Sequence, residues 1–258
     1  MYSLIKSKPV QKWAKIATVS GLVLTSCSVM AADPMELSAD DKNKGWTGNI
    51  ELGYVQTSGN TDTTTGIMKL GINGSYTDWI HNFTSRGYHA TDTDNTTASN
   101  INAQWRSNYI LRTDISYIYG LLRYDNDQFA GYKLRMTGTA GYGHKIIKTE
   151  AFRWAVEAGV GGQYTDQTDG TTVDQAIGRV GTWLNWKISE SSDFSYNLFT
   201  EFGSENTYTE SDANLSVKIN DSLSLVLGWL VRNNSDVQPG IENTDMTTTI
   251  SLKYAFLK

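Results

Sequence analysis

Cysteine is almost absent: the single one, Cys27, falls within the first 32 residues, so the chain beyond them forms no internal disulfide. Proline is nearly as scarce, with three in 258 residues, which leaves long stretches free to pair in a sheet. Histidine occurs only as His81, His89 and His144, and no Cys/His spacing matches a zinc motif. Glycine-rich phosphate loops are missing. After residue 32 no apolar run approaches the ~20 residues of a transmembrane helix. These absences leave no expected metal, no expected cofactor and no catalytic motif.

What the first 32 residues do contain is a basic start, Lys6, Lys8, Lys12 and Lys15, then an apolar stretch from Ile16 to Met30, then Ala31-Ala32. That order reads as a secretory signal peptide, residues 1–32. A helical anchor is the alternative, and the stretch is short for one. Leu24-Thr25-Ser26-Cys27 also resembles a lipoprotein box, which would place a lipid on Cys27; removal after Ala32 is simpler. Without the four lysines, 22 less 4 leaves 18 basic against 27 acidic residues, a net of −9. Such a balance excludes nucleic acid as an expected partner.

Residues 33–44 are polar and read as a flexible periplasmic segment. From residue 45 to 258 the chain alternates. In Gly45 to Asp62, Trp46, Gly48, Ile50, Leu52 and Tyr54 share one face, and Thr47, Asn49 and Glu51 the other. Twelve such segments follow one another, near 46–57, 63–76, 79–91, 97–110, 115–125, 131–146, 151–165, 173–187, 193–203, 208–219, 222–232 and 245–256. Connections after even segments are short; those after odd segments are longer, as at Asp166 to Thr172 and Asn233 to Asn243, and Ser58-Gly59-Asn60 reads as the first external turn. An even count of alternating strands with this asymmetry predicts an all-β fold: a closed antiparallel transmembrane β-barrel of about 12 strands in a bacterial outer membrane. The fold-level alternative is a soluble β-sandwich.

Aromatics crowd the strand ends, as expected of two membrane interfaces. Trp46, Tyr76, Trp79, Tyr109, Tyr117, Phe152, Trp154, Trp186, Phe194, Tyr254 and Phe256 are expected at the inner ring. Tyr54, Tyr124, Tyr132, Tyr164, Phe202, Tyr208 and Trp229 are expected at the outer one. The last strand, ending in Tyr254 and Phe256, resembles a signal for the barrel-assembly machinery, although Leu257 and Lys258 follow the last aromatic.

Trp46-Thr47-Gly48, Glu51-Leu52-Gly53 and Thr57-Ser58-Gly59-Asn60-Thr61 together resemble the opening of the YdiY-like family of salt-induced outer membrane proteins, over residues 45–258. The resemblance implies an outer-membrane barrel of uncharacterised function and supplies no catalytic residues. Salt induction describes the regulation of relatives.

By parity, the inward face carries Glu51, Lys69, Arg86, Arg106, Lys133, Arg135, Arg153, Glu157, Arg179, Glu201 and Arg232, with Lys187, Lys218 and Lys253 also inward but near the short turns, where they can reach the periplasmic rim. Parity on the fifth segment is ambiguous, so Arg123 is left aside. Bases outnumber acids here, and a wet basic lumen would favour small anionic solutes. The same residues could instead pair and plug the interior, since twelve strands lie between the ~8 that side chains fill and the ~16 of an open porin. Acids such as Asp92, Asp94, Asp125, Asp127, Asp166, Asp169, Glu205, Glu210, Asp212, Asp236 and Glu242 are expected in the external loops. They read as solvated, or as sharing divalent cations with lipopolysaccharide phosphates.

The residues predict a small-solute channel with a net basic lumen, or an envelope-integrity barrel with a plugged one. Its partners are then membrane lipid and lipopolysaccharide. An outer-membrane lipid hydrolase is a third reading; His89 near Ser99 is its only candidate pair, so no enzyme is expected.

Overall fold

A period of two sends every second side chain to the same side of a sheet, so each alternating segment can form one wall of a closed cylinder. The computed structural model describes residues 45–57, 63–92, 95–112 and 114–257. Their strands are β1 (Gly45–Thr57), β2 (Thr63–Tyr76), β3 (Trp79–Asp92), β4 (Asn95–Ile110), β5 (Ser116–Asp127), β6 (Tyr132–Lys148), β7 (Phe152–Gln167), β8 (Thr172–Ser189), β9 (Ser192–Gly203), β10 (Thr207–Lys218), β11 (Leu223–Asn234) and β12 (Thr244–Leu257). Each pairs antiparallel with its neighbours in sequence, and β1 pairs with β12 to close the barrel. The expected signal peptide, Cys27, the 33–44 segment, Ser58-Gly59-Asn60 and Asp94 lie outside the described residues.

The strands run 12 to 18 residues, beyond the ~9–11 that a tilted strand needs to cross a bilayer. The excess shortens the connections. At the outer end, 128–131, 168–171 and 204–206 are about as short as the inner turns, and only 235–243 is long. The expected contrast in loop length therefore reduces, among the described residues, to one nine-residue loop. That loop crosses the mouth. Thr168 Oγ1 donates to Gln238 Oε1 at 2.8 Å, Gln238 Nε2 donates to Gln167 Oε1 at 3.1 Å, and the Thr168 amide donates to the Gly131 carbonyl at 3.0 Å.

Outside, Leu122, Met136, Val160, Val180 and Ile250 are exposed at mid-strand, an apolar band that water would not tolerate at this extent but lipid does. Trp46, Tyr54, Tyr76, Trp79, Tyr109, Tyr164, Trp186, Tyr254 and Phe256 are exposed on the same side, near the strand ends, whereas Trp229, expected at the outer ring, is exposed in the middle of β11. Trp154 and Phe194 are half-buried there; Trp154 Nε1 donates to Thr182 Oγ1 at 2.8 Å.

The aromatic rings lose three expected members. Tyr117, Tyr132 and Tyr208 are 0%, 4% and 4% exposed, because register turns them into the lumen with Arg106, Arg135 and Glu201. Space for Tyr117 and Tyr119 comes from inward glycines on β6 and β7. A Cβ on Gly143 would overlap the Tyr117 ring, and one on Gly141 would stand 2.7 Å from Tyr119. The glycine-rich run 138–143 thus makes room for two large side chains.

Candidate functional site: a lumen crossed by ion pairs and stacked arginines

Of the side chains that parity selected, Glu51, Lys69, Arg106, Arg135, Glu157, Arg179 and Glu201 are buried in the interior and Arg86 and Arg232 largely so, whereas Lys133, Lys187 and Lys218 are exposed; the interior itself is not strongly basic. Glu51 is fully buried and accepts from Lys69 Nζ at 2.8 Å and Ser251 Oγ at 2.6 Å. Arg106 pairs with Glu157, which also accepts from the Tyr117 hydroxyl at 2.8 Å. Arg123 Nε donates to Asp125 at 2.8 Å and its Nη2 to Glu201 at 2.6 Å; Arg179 reaches the other Glu201 oxygen. Arg86 donates to Asp212 at 3.1 Å and lies 3.8 Å from Glu210, and Arg232 donates to Asp127 at 3.3 Å.

Asp125, Asp127, Glu210 and Asp212 were expected among the external loops, and they stand inside instead. They belong to strands that extend past their expected ends or that turn these positions inward, so carboxylates near a loop in sequence face the lumen in space. Counting them, the cations Lys69, Arg86, Arg106, Arg123, Arg135, Lys145, Arg179 and Arg232 meet seven acids: Glu51, Asp125, Asp127, Glu157, Glu201, Glu210 and Asp212. The expected net basic lumen is corrected to a nearly balanced one. Burial demands this, since an unpaired charge away from water is costly.

Four of these pairs tie together strands that are not neighbours. Arg106–Glu157 joins β4 to β7, Arg123–Glu201 joins β5 to β9, and Arg86–Asp212 joins β3 to β10. Arg232–Asp127 joins β11 to β5, six strands apart in a ring of twelve and therefore on opposite walls. Each such bond runs across the bore.

A second order lies within the first. The Arg106 guanidinium sits over Tyr119 (4.4 Å) and Trp183 (5.5 Å), and Arg179 over Trp183 (5.9 Å) and Phe199 (3.7 Å). Arg123 sits over Phe199 (5.2 Å) and Tyr208 (5.1 Å), and Arg135 over Tyr208 (5.4 Å) and Tyr132 (4.0 Å). Four guanidiniums thus alternate with five rings in one continuous column, and each contact adds about 0.5–2 kcal/mol according to its desolvation. Among the described residues Arg135 has no carboxylate partner. Its Nη1 donates to Asn234 at 3.1 Å, and its Nε is buried without a partner.

Sequence reasoning missed Arg123, the four acids and the column's aromatics. A signal existed on β5: Ile118, Leu122 and Tyr124 alternate with Tyr117, Tyr119, Leu121 and Arg123, and the first set is the lipid face. Tyrosines and a leucine on the polar side concealed it. Lys187, Lys218 and Lys133 are exposed near the rims, and Arg153 and Lys253 half-buried.

His89 and Ser99 face each other across β3 and β4, with no hydrogen bond joining them among the described residues. The shorter imidazole–hydroxyl bonds are His81–Ser107 (2.8 Å) and His144–Ser116 (2.9 Å), and no carboxylate among the described residues orients either ring. The outer carboxylates that remain outside the lumen include Asp166, Asp169, Glu205, Asp236 and Glu242. Among the described residues no three acids or histidines are grouped to hold a metal ion.

Known proteins of more than one kind resemble this chain. The uncharacterized protein YdiY of Escherichia coli (strain K12) is 28% identical over 246 residues, 93% of this chain and 96% of that one. The NanC porin superposes with a TM-score of 0.50 at 11% identity, covering 81% of this chain and 98% of that one. An outer-membrane channel of Pseudomonas putida F1 superposes with a TM-score of 0.50 at 9% identity, covering 88% and 99%. At such identities the two structures establish the fold alone, that of an outer-membrane β-barrel. A family described as a protein of unknown function, DUF481, matches residues 50–256, and the chain belongs to that YdiY-like family.

Proposed function

We propose that the protein is an envelope-integrity barrel of the outer membrane whose lumen is closed to solutes at rest. The observation that carries this reading is the set of ion pairs running across the bore between non-adjacent strands, Arg123–Glu201 and Arg232–Asp127 above all. A porin leaves water in that space; here guanidiniums, carboxylates and aromatic rings occupy it. The loop over the outer mouth supports the same reading.

Planar-bilayer recording tests it. Folded wild-type protein is expected to give no discrete conductance, whereas Arg123→Ala with Glu201→Ala should admit ions. Steady single-channel steps from the wild type would overturn the closed-lumen reading.

A second reading, a small-anion channel, draws on the four stacked guanidiniums and on Arg135, which lacks a carboxylate partner. It predicts wild-type conductance that prefers anions, shifting toward cations when Arg106, Arg135 and Arg179 become Glu. External lipopolysaccharide and, during biogenesis, the barrel-assembly machinery are the partners this location implies.

A further inference from the structure

The lipid-facing side of β3 and β4 carries a polar cluster between aromatic rungs. His81 Nδ1 lies 2.8 Å from Ser107 Oγ, and Trp105 Nε1 donates to the same hydroxyl at 3.1 Å. The imidazole stacks on Trp79 with centroids 5.9 Å apart and planes within 2°, and lies tilted against Trp105 at 5.9 Å. Trp79 pairs with Tyr109, His81 with Ser107 and Phe83 with Trp105, so the cluster is one rung of a ladder.

Its depth is set by the strand. Trp79 is the first residue of β3, after the inner turn at 77–78. Two residues further along a tilted strand put His81 about 5 Å deeper than that ring, between the headgroups and the acyl chains, near the level of the ester groups of a bilayer leaflet.

Polar hydrogens at that depth must find acceptors. Trp105 can only donate, so Ser107 Oγ accepts from it. If Ser107 then gives its own proton to His81 Nδ1, the imidazole keeps a hydrogen on Nε2. If His81 Nδ1 donates instead, the Ser107 hydrogen is the one left over. In both tautomers one polar hydrogen of this lipid-side pair has no partner among the described residues. At this level the acceptors are lipid oxygens and interfacial water, and the flanking tryptophan rings favour the lipid. A related cluster stands on the same rim of β5 and β6, where Ser116 Oγ is 2.9 Å from His144 Nδ1 and 2.7 Å from the Tyr142 hydroxyl.

We propose that the His81–Ser107 pair is a binding site for a glycerophospholipid of the inner-rim leaflet. An ester carbonyl oxygen accepts the spare hydrogen, and Trp79 and Trp105, each 44% exposed, flank the glycerol and upper acyl chain. The inference rests on the barrel standing in a bilayer and not on whether its lumen conducts.

Native mass spectrometry of the full barrel, released from mild detergent with added diacyl phosphatidylethanolamine, tests it. The readout is the retained lipid for wild type, His81→Phe and Ser107→Ala, each first verified as folded by its unboiled gel mobility. His81→Phe keeps the stacked ring and removes the donor. Loss of one hydrogen bond should weaken retention roughly 3- to 10-fold. A diether analogue, lacking ester carbonyls, should bind the wild type as weakly as the diacyl lipid binds His81→Phe. Equal retention by folded His81→Phe and wild type would overturn the site. Equal retention of diether and diacyl lipid by the wild type, with loss in His81→Phe, would overturn the ester assignment and point to the phosphate.

Discussion

Glu201 takes hydrogen bonds from both Arg123 and Arg179 while only 1% of it is exposed. Its replacement by Ala leaves two guanidiniums buried over Phe199 without their shared acid, and should cost about 3–5 kcal/mol. Urea unfolding of the folded barrel in lipid vesicles measures this. The arginine–glutamate pairs specify where strands meet across the bore more than they add net stability. For the same reason Arg106→Met combined with Glu157→Leu should cost less than either change alone, a result the double-mutant cycle reads directly. Gly143→Ala places a methyl group in the Tyr117 ring and should cost about 1–3 kcal/mol, with loss of the Tyr117–Glu157 bond. At this scale Glu51, Glu157, Glu201, Arg106 and Arg179 were legible, because alternation assigns a side to each residue inside a strand; Arg123 was not, because tyrosines and a leucine on the polar side of β5 obscured its parity. Asp125, Asp127, Glu210 and Asp212 were not, since near a strand end a carboxylate looks the same whether the strand stops before it or carries it inside.

The twelve strands begin and end within two residues of where alternation places them. What alternation does not state is how well each edge pairs. β1 and β2 share thirteen registered pairs, whereas β1 and β12 share three, Gly48 to Ile50 with Tyr254 to Leu257, interrupted by a bulge at Gly48/Asn49. Beyond them Lys69 and Ser251 hold Glu51 between β2 and β12. Amide hydrogen exchange should therefore be fastest along the outer half of β12 among the strand segments and slow on β6 and β7. Uniform protection around the ring would contradict a weak closing seam. Glu51→Gln, which weakens the Lys69 contact, should raise exchange on β1 and β12 first.

The whole barrel presents two opposite solvents to one sheet, lipid outside and packed ion pairs inside. Closure leaves twelve strands with no free edge, so unfolding should be all-or-none and slow. The detergent-folded protein is expected to migrate differently on a gel before and after boiling; identical migration would argue for an open sheet or sandwich. The sequence by itself determined the strand count, the polarity of the faces and the outer-membrane class, because alternation, aromatic placement and the scarcity of proline are local properties that a period of two converts into a wall. Only the tertiary structure decided that the lumen is nearly charge-balanced and crossed from wall to wall. Which arginine meets which carboxylate, and which ring lies between two guanidiniums, depends on strands that are far apart in the chain and opposite one another in the barrel.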